Sequence, residues 1–253
     1  MEVAEARFRF YAELNDLLPV RKRKNRVHVY RFYGKNSVKD AIESFDVPHT
    51  QVDLILVRQQ SVTFDYILRP GDFISVYPVF ESLDISGVTR LRPAPLRHPA
   101  FVLDVHLGKL ARLMRMAGID TLYRNDYDDR EIIDIAQNEK RIILTRDKGI
   151  LKHRIVTHGH WLLATYPDQQ FIEVVRRFDL FNHLKTFSRC IHCNTLLEPV
   201  KKSEVEKYLK PGTRKCFVEF MRCPGCGRIY WRGSHYEHMS RHLEALIRQA
   251  ETE

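Results

Sequence analysis

Four cysteines stand in two Cys-x-x-Cys pairs, Cys190/Cys193 and Cys223/Cys226, each followed by a turn residue, Asn194 or Gly227. Each pair reads as a knuckle that aims two thiolates at one point, and four thiolates close a tetrahedral site around a single Zn²⁺. A closed site leaves no open coordination position, so this zinc is expected to be structural. The 29 residues between the pairs exceed the spacing of a compact ribbon. They have room for a helix through Val205, Tyr208 and Leu209 and a strand over Phe217–Met221. Redox chemistry is the rival reading of a lone Cys-x-x-Cys, and the second pair disfavours it. Cys216 is left over and is expected to be a small buried residue, while His192 and His235 stand far behind the cysteines as ligands.

A second chemistry is suggested by carboxylates. Asp104 ends a short apolar strand, Asp147 directly follows another, and Asp126, Asp128 and Asp129 cluster at the entry to a helix. Strand ends at the carboxyl edge of an open α/β sheet are where ligands bind. Carboxylates converging there repel one another unless a cation holds them, and Mg²⁺ or Mn²⁺ suits a few carboxylate oxygens plus water. Such an ion activates a water for in-line attack on a phosphodiester. Duller roles stand beside these. Asp128 suits an N-cap, Asp129 complements a helix dipole, Asp126 suits a turn, and Asp147-Lys148-Gly149 reads also as a plain turn. Asp104 has no capping duty to explain it.

Cations accompany the acids. Lys109 and Arg112 lie three apart on one side of a helix, where they either hold a phosphate or form a solvated face. Arg146, beside Asp147, has the same two readings, and His106 is read as structural or substrate-contacting. The stretch Gly227–His235 mixes Arg228, Tyr230, Trp231 and His235, a combination that stacks on unpaired bases while neutralising phosphates. Tyr230 and Trp231 serve equally as core of the ribbon itself.

The elements that must position these residues follow from periodicity. Ala6–Tyr11 and Arg26–Phe32 read as strands joined by the basic run Arg21–Arg26, with Ser37 capping a helix through Val38, Ala41, Ile42 and Phe45. Leu54–Val57 and Phe73–Tyr77 add two strands, giving the ββαββ order of a β-grasp fold. A proline-containing linker is expected over 85–100. Strands at Phe101–Val105, Thr121–Arg124, Ile142–Thr145 and Trp161–Thr165 then alternate with helices over Leu107–Ala117, from Asp128, and over Phe171–Phe178. That alternation implies a parallel sheet with helices on its faces. The expected fold class is therefore multidomain, α/β and α+β: 1–84 β-grasp, 85–100 linker, 101–185 parallel α/β domain, 186–245 zinc ribbon and 246–253 tail.

Composition narrows the partners. In 253 residues, 44% hydrophobic and 29% charged, a packed core is expected and global disorder is not. No apolar run approaches the ~20 residues of a membrane span, and neither a signal peptide nor a disulfide framework is read, so a reducing cytoplasm is expected. The net charge of +9 is unevenly spread: residues 1–85 hold 12 Lys/Arg and 12 Asp/Glu, leaving 29 and 20 for the rest. A surplus confined to one part of the chain points to a polyanion, nucleic acid ahead of acidic lipid.

The stretches Phe101–Val105, Leu107–Arg112, Leu144–Asp147, Arg189–Asn194 and Cys223–His235 resemble the ribonuclease family named after the C-terminal part of the mut-seven exonuclease. Residues 1–84, through Val76–Ser82, resemble the ubiquitin-like domain that often precedes it. The resemblance implies a PIN-like nuclease domain with an appended zinc ribbon, in which Asp104, Asp129 and Asp147 take the places of three metal-binding acids. Lys148 and Gly149 occupy positions where related nucleases often carry another acid. The β-grasp part has no C-terminal Gly-Gly for activation, which favours a docking or RNA-positioning module that could meet a protein partner. The expected function is a Mg²⁺- or Mn²⁺-dependent ribonuclease acting on structured RNA, with tRNA or ribosomal RNA favoured. The alternative is a non-catalytic RNA- or ribosome-binding factor on a degenerate nuclease fold.

Overall fold

The computed structural model describes residues 3–78, 89–91 and 99–252, so most of the linker expected at 85–100 lies outside the described residues. The chain divides into two compact units that do not follow chain order. One comprises 1–98 with 129–161, the other 99–128 with 162–253.

In the first unit, β1 (Ala4–Phe10), α1 (Leu14–Leu17), β2 (His28–Phe32), α2 (Val38–Ser44), β3 (Val52–Val57), β4 (Gln60–Ser61) and β5 (Phe73–Pro78) build a mixed sheet of order β2-β1-β5-β3-β4. Alternation in β1 turns Ala6, Phe8 and Phe10 inward and leaves Arg7 and Arg9 outside, as a strand with one buried face requires. Phe8 and Phe10 each meet the Phe45 ring at 5.4 Å between centroids. The Ser37 hydroxyl accepts from the Asp40 amide at 3.1 Å and starts α2. The expected hairpin is longer than its sequence suggests. β1 and β2 do pair antiparallel, Phe8 opposite His28, but α1 and a run of turns separate them.

The same unit contains α4 (Asp129–Glu139), β8 (Ile142–Thr145), α5 (Lys148–Leu151) and β9 (Gly159–Trp161), with β8 and β9 parallel. These elements meet α1 and the segment between α2 and β3 through polar contacts. The Lys148 ammonium donates to Leu17 O at 2.8 Å and to Asp46 at 2.7 Å, and Lys152 reaches the other Asp46 oxygen at 2.8 Å. The Gln51 amide donates to Gly159 O at 2.8 Å, and His49 Nε2 sits 2.9 Å from Val156 O.

The second unit holds β6 (Phe101–Leu103), α3 (Gly108–Met116), β7 (Thr121–Leu122), α6 (Pro167–Arg177), β10 (Glu198–Val200), α7 (Lys202–Val205), α8 (Pro211–Cys216), β11 (Phe220–Arg222), β12 (Ile229–Tyr230) and α9 (Ser234–Thr252). β6 and β7 are parallel, whereas β10-β11-β12 is an antiparallel sheet. The parallel pairs and the N-terminal mixed sheet agree with the mixed α/β class read from sequence. Gly118 ends α3 at φ +85°, and a Cβ there would lie 2.2 Å from Lys185 O, so the position demands glycine.

Three local expectations are corrected. The last strand of the α/β part covers Gly159–Trp161, not Trp161–Thr165, because the segment after it is held by side chains of α6 instead of by a neighbouring strand. Glu173 accepts from the Leu163 and Ala164 amides at 3.0 and 2.9 Å, and the Gln170 amide donates to Ala164 O at 3.1 Å. Cys216 is exposed rather than buried, since it ends the short helix α8 on the ribbon's surface. Phe217 lies outside any strand, and β11 starts at Phe220. At the C-terminal side α9 runs to Thr252, and Leu243, Leu246 and Ala250 form one buried stripe on it.

Candidate functional site

The two knuckles have the same local geometry. Asn194 N donates to Cys190 O and Gly227 N to Cys223 O, both at 2.9 Å, across residues at φ +73° and +74°. Asparagine and glycine are the residues that accept this left-handed backbone most readily, which is why they follow the second cysteine of each pair. Amides of Cys193 and Cys226 point at the sulfurs of Cys190 and Cys223 at 3.5 and 3.4 Å.

All four sulfurs lie within 4.8 Å of one another, with Cys193–Cys223 at 3.3 Å and Cys190–Cys226 at 3.6 Å. A tetrahedral Zn–S distance of ~2.3 Å places sulfurs ~3.8 Å apart, so the donor set fits one metal ion. Thiols this crowded resist sharing several negative charges. Burial, with the neighbouring thiols, pushes Cys226 up to about 12, although Cys193 settles at about 6 because hydrogen bonds from Thr195 overcome its own burial. A bound cation removes that conflict and lets all four ionise. The cluster is consistent with a zinc ribbon. Its small core is Val205, Leu209 and Phe220, joined by Val200, Phe217 and Ile229.

Arg115 ties this ribbon to the nuclease-like part of the same unit. Buried in α3, it donates to Thr121 O at 2.9 Å, His192 O at 2.7 Å and Tyr123 O at 3.3 Å. Burial lowers its affinity for its proton, and the Cys193 and Cys190 thiolates oppose that loss. Asn194 adds a second tie, its side chain accepting from Thr121 N and donating to Asp120, each at 2.9 Å.

Beside these ties lies a cavity of about 810 Å³. Its lining includes Arg112, Arg228, Tyr230 and Trp231, four of the residues singled out as substrate contacts, and among the described residues no carboxylate. The Tyr230 hydroxyl lies 3.0 Å from Cys190 Sγ, and burial followed by that contact raises its pKa. His235 instead lines a neighbouring cavity of about 580 Å³ between the ribbon and α9. Lys109 is in neither lining, and Arg146 is exposed, its carbonyl accepting from the Trp161 indole at 2.9 Å. Tyr123, Tyr208 and Arg124 also line the larger cavity and were not singled out from sequence. Periodicity carries no signal for them, because chain folding alone brings them to the same place.

The acids are placed as follows. Asp104, 8% exposed, directly follows β6, and its side chain does not cap the turn that begins there. Asp147 follows β8, accepts from the Gly149 amide at 2.7 Å and is the N-cap of α5, as the turn reading of Asp-Lys-Gly expects. Asp129 opens α4 and is exposed. Asp104 belongs to the second unit, Asp129 and Asp147 to the first. Lys148, in the position expected of another acid, is instead engaged by Asp46.

Acids thus follow the strands β6 and β8, four cysteines that could hold one metal ion stand in the second unit, and a β-grasp sheet is built from the N-terminal residues. Residues 99–243 match the Mut7-C RNAse domain family, and residues 3–84 match the Mut7-C ubiquitin family. The chain belongs to the Mut7-C RNAse domain family, which points to a nuclease-related function and to RNA as the partner. No curated protein and no solved structure matches the chain. Among the described residues, no helix is long and apolar enough to cross a membrane.

Proposed function

We propose that the protein is a Mg²⁺- or Mn²⁺-dependent ribonuclease that hydrolyses phosphodiester bonds in structured RNA, tRNA or ribosomal RNA, in the cytoplasm. The observation that carries this reading is Asp104, a buried acid directly after an apolar strand, whose side chain makes no cap hydrogen bond, in a chain of an RNAse family. Asp104, Asp129 and Asp147 offer the hard oxygen donors that such an ion prefers. When bound, the ion supplies an activated water and neutralises charge on the phosphate. Asp147 is held in one orientation by the Gly149 amide, and Lys109, Arg112 and Arg146 contribute positive charge for the phosphate backbone. The ribbon, stabilised by one structural Zn²⁺ on Cys190, Cys193, Cys223 and Cys226, grips RNA through Arg228, Tyr230, Trp231 and His235. The β-grasp domain serves as a fixed module, available to a protein partner on its remaining surface.

Cleavage of total RNA by the full-length protein tests this, with Asp104→Asn and Asp147→Asn variants and with EDTA. Asparagine keeps the shape of both side chains and can still accept the Gly149 amide, so lost activity reports lost charge. Cleavage is expected to fall by at least about 100-fold in each variant, the scale of removing one electrostatic contributor. Undiminished cleavage by both variants refutes the assignment. Lys148 favours a second reading, a non-catalytic RNA- or ribosome-binding factor, because it puts a committed cation beside Asp147. Tight binding of RNA without metal, and with no cleavage under any metal, would establish that reading.

A further inference from the structure

The cavity beside the ribbon has a character more specific than general attraction to RNA. Its rim carries aromatic rings with accessible faces. Trp231 is 38% exposed and Tyr208 66%; Lys207 Nζ lies over the Tyr208 ring at 5.0 Å, and the Phe220 ring is 6.4 Å from that of Trp231. Arg115 forms part of the lining, but its guanidinium is committed to backbone carbonyls of α3's neighbours. Arg124 pairs with Asp126 at 2.9 Å and lies over the Tyr127 ring. Arg112 and Arg228 differ: among the described residues neither has a carboxylate partner, and Arg112 donates to Met239 Sδ at 4.0 Å.

We propose that this cavity binds unpaired nucleotides of an RNA, with bases stacked on Trp231 and Tyr208 and phosphates held by Arg112 and Arg228. Three properties of the site select that ligand. Among the described residues no carboxylate lines the cavity beside two cations without an acidic partner, which selects an anion. The exposed rings select a flat, stackable group joined to it. The size, about 810 Å³, lies within the ~300–1,000 Å³ of sites that enclose small ligands, so it admits roughly one or two nucleotides and no segment of helix. Bases within a duplex are stacked on each other and cannot reach concave walls, so the nucleotides must be splayed from a loop or an end. The proposal rests on the reading of RNA as substrate and deepens it: a structured RNA would be gripped at an unpaired segment.

The test is direct binding by fluorescence anisotropy, using full-length zinc-loaded Asp104→Asn protein without added Mg²⁺ or Mn²⁺. The probes are a labelled ten-nucleotide oligouridylate, the same strand annealed to its complement, and unlabelled UMP as competitor. The single strand is expected to bind at least about tenfold more tightly than the duplex. Tyr208→Ala and Trp231→Leu should each weaken it by about tenfold, the scale of one lost base stack. Arg112→Ala and Arg228→Ala should each lower the slope of log affinity against log salt by about 0.7, one phosphate contact on a single strand. Tyr208 and Arg112 lie outside the cysteine knuckles, so their variants keep the test valid if a ribbon variant misfolds. Equal binding of duplex and single strand, or unchanged binding in the Tyr208 and Arg112 variants, overturns the proposal. Competition by UMP as effective as by the unlabelled oligomer also overturns it, by assigning the site to a free nucleotide. Failure of the nuclease reading would appear separately, as normal binding and salt dependence in wild-type protein that never cleaves.

Discussion

Asp46 offers a quantitative test of how the β-grasp domain is attached. Its carboxylate accepts from Lys148 at 2.7 Å and Lys152 at 2.8 Å, and side-chain exposure is 43% for the acid, 18% for Lys148 and 30% for Lys152. Asp46 sits at φ +68°, so alanine would add backbone strain to the loss of charge. Asparagine tolerates that conformation and isolates the electrostatic effect. A charge-assisted hydrogen bond is worth about 1.5–3 kcal/mol when shielded, and an exposed ion pair about 0.2–1 kcal/mol. With the acid nearly half exposed, and Lys148 retaining Leu17 O and its place over the Trp161 ring, the loss in Asp46→Asn should be about 1–1.5 kcal/mol. For a chain of this size that lowers the melting midpoint by roughly 2–6 °C.

The loss has a defined pH dependence. Burial raises the Asp46 pKa, but hydrogen bonds and charges from Lys148 and Lys152 outweigh it and hold the carboxyl below its ordinary value. The contribution is therefore present above the unfolded pKa of about 3.9 and disappears as pH falls through the lower folded value. Urea denaturation of wild type, Asp46→Asn, Lys148→Met and the double variant should show coupling near 1 kcal/mol at pH 7 that vanishes toward pH 2. Zero coupling at pH 7, or a loss unchanged at low pH, would refute this account of the attachment.

Two further outcomes test the second unit. Metal analysis should find about one zinc per chain in wild type and in Asp147→Asn, and almost none in Cys223→Ser, because the four-thiolate site contains no aspartate. Loss of zinc in Asp147→Asn would contradict the separation of the two sites. Gly118→Ala should lose about 1–2 kcal/mol from the left-handed backbone alone, and more from the clash with Lys185 O. A melting curve matching wild type would show that the turn has another conformation available.

Local chemistry was legible in the residues. The strand Ile142–Thr145 occupies the expected span, and Ser37 caps α2, because three apolar residues in a row and a hydroxyl before a helix act over a few positions. The knuckles were legible for the same reason, since Asn194 and Gly227 complete turns within five residues. Trp161–Thr165 was misread because Glu173 and Gln170 hold the segment's backbone, and side chains six to ten positions away leave no period in an apolar run. Cys216 was misplaced because cysteine is buried more often than not, while a six-residue helix on a small ribbon has little interior to offer.

The amino-acid sequence by itself determined the two cysteine knuckles, the β-grasp order and the acid after each of two apolar strands. Each depends on spacing, capping or alternation within a short stretch. Tertiary structure alone decided that Lys148 is spent on Asp46, 102 positions away, and that Arg112 and Trp231 line one cavity. Those pairings join residues far apart in the chain, where neither local geometry nor periodicity links one position to the other, so only the packed fold could bring them together.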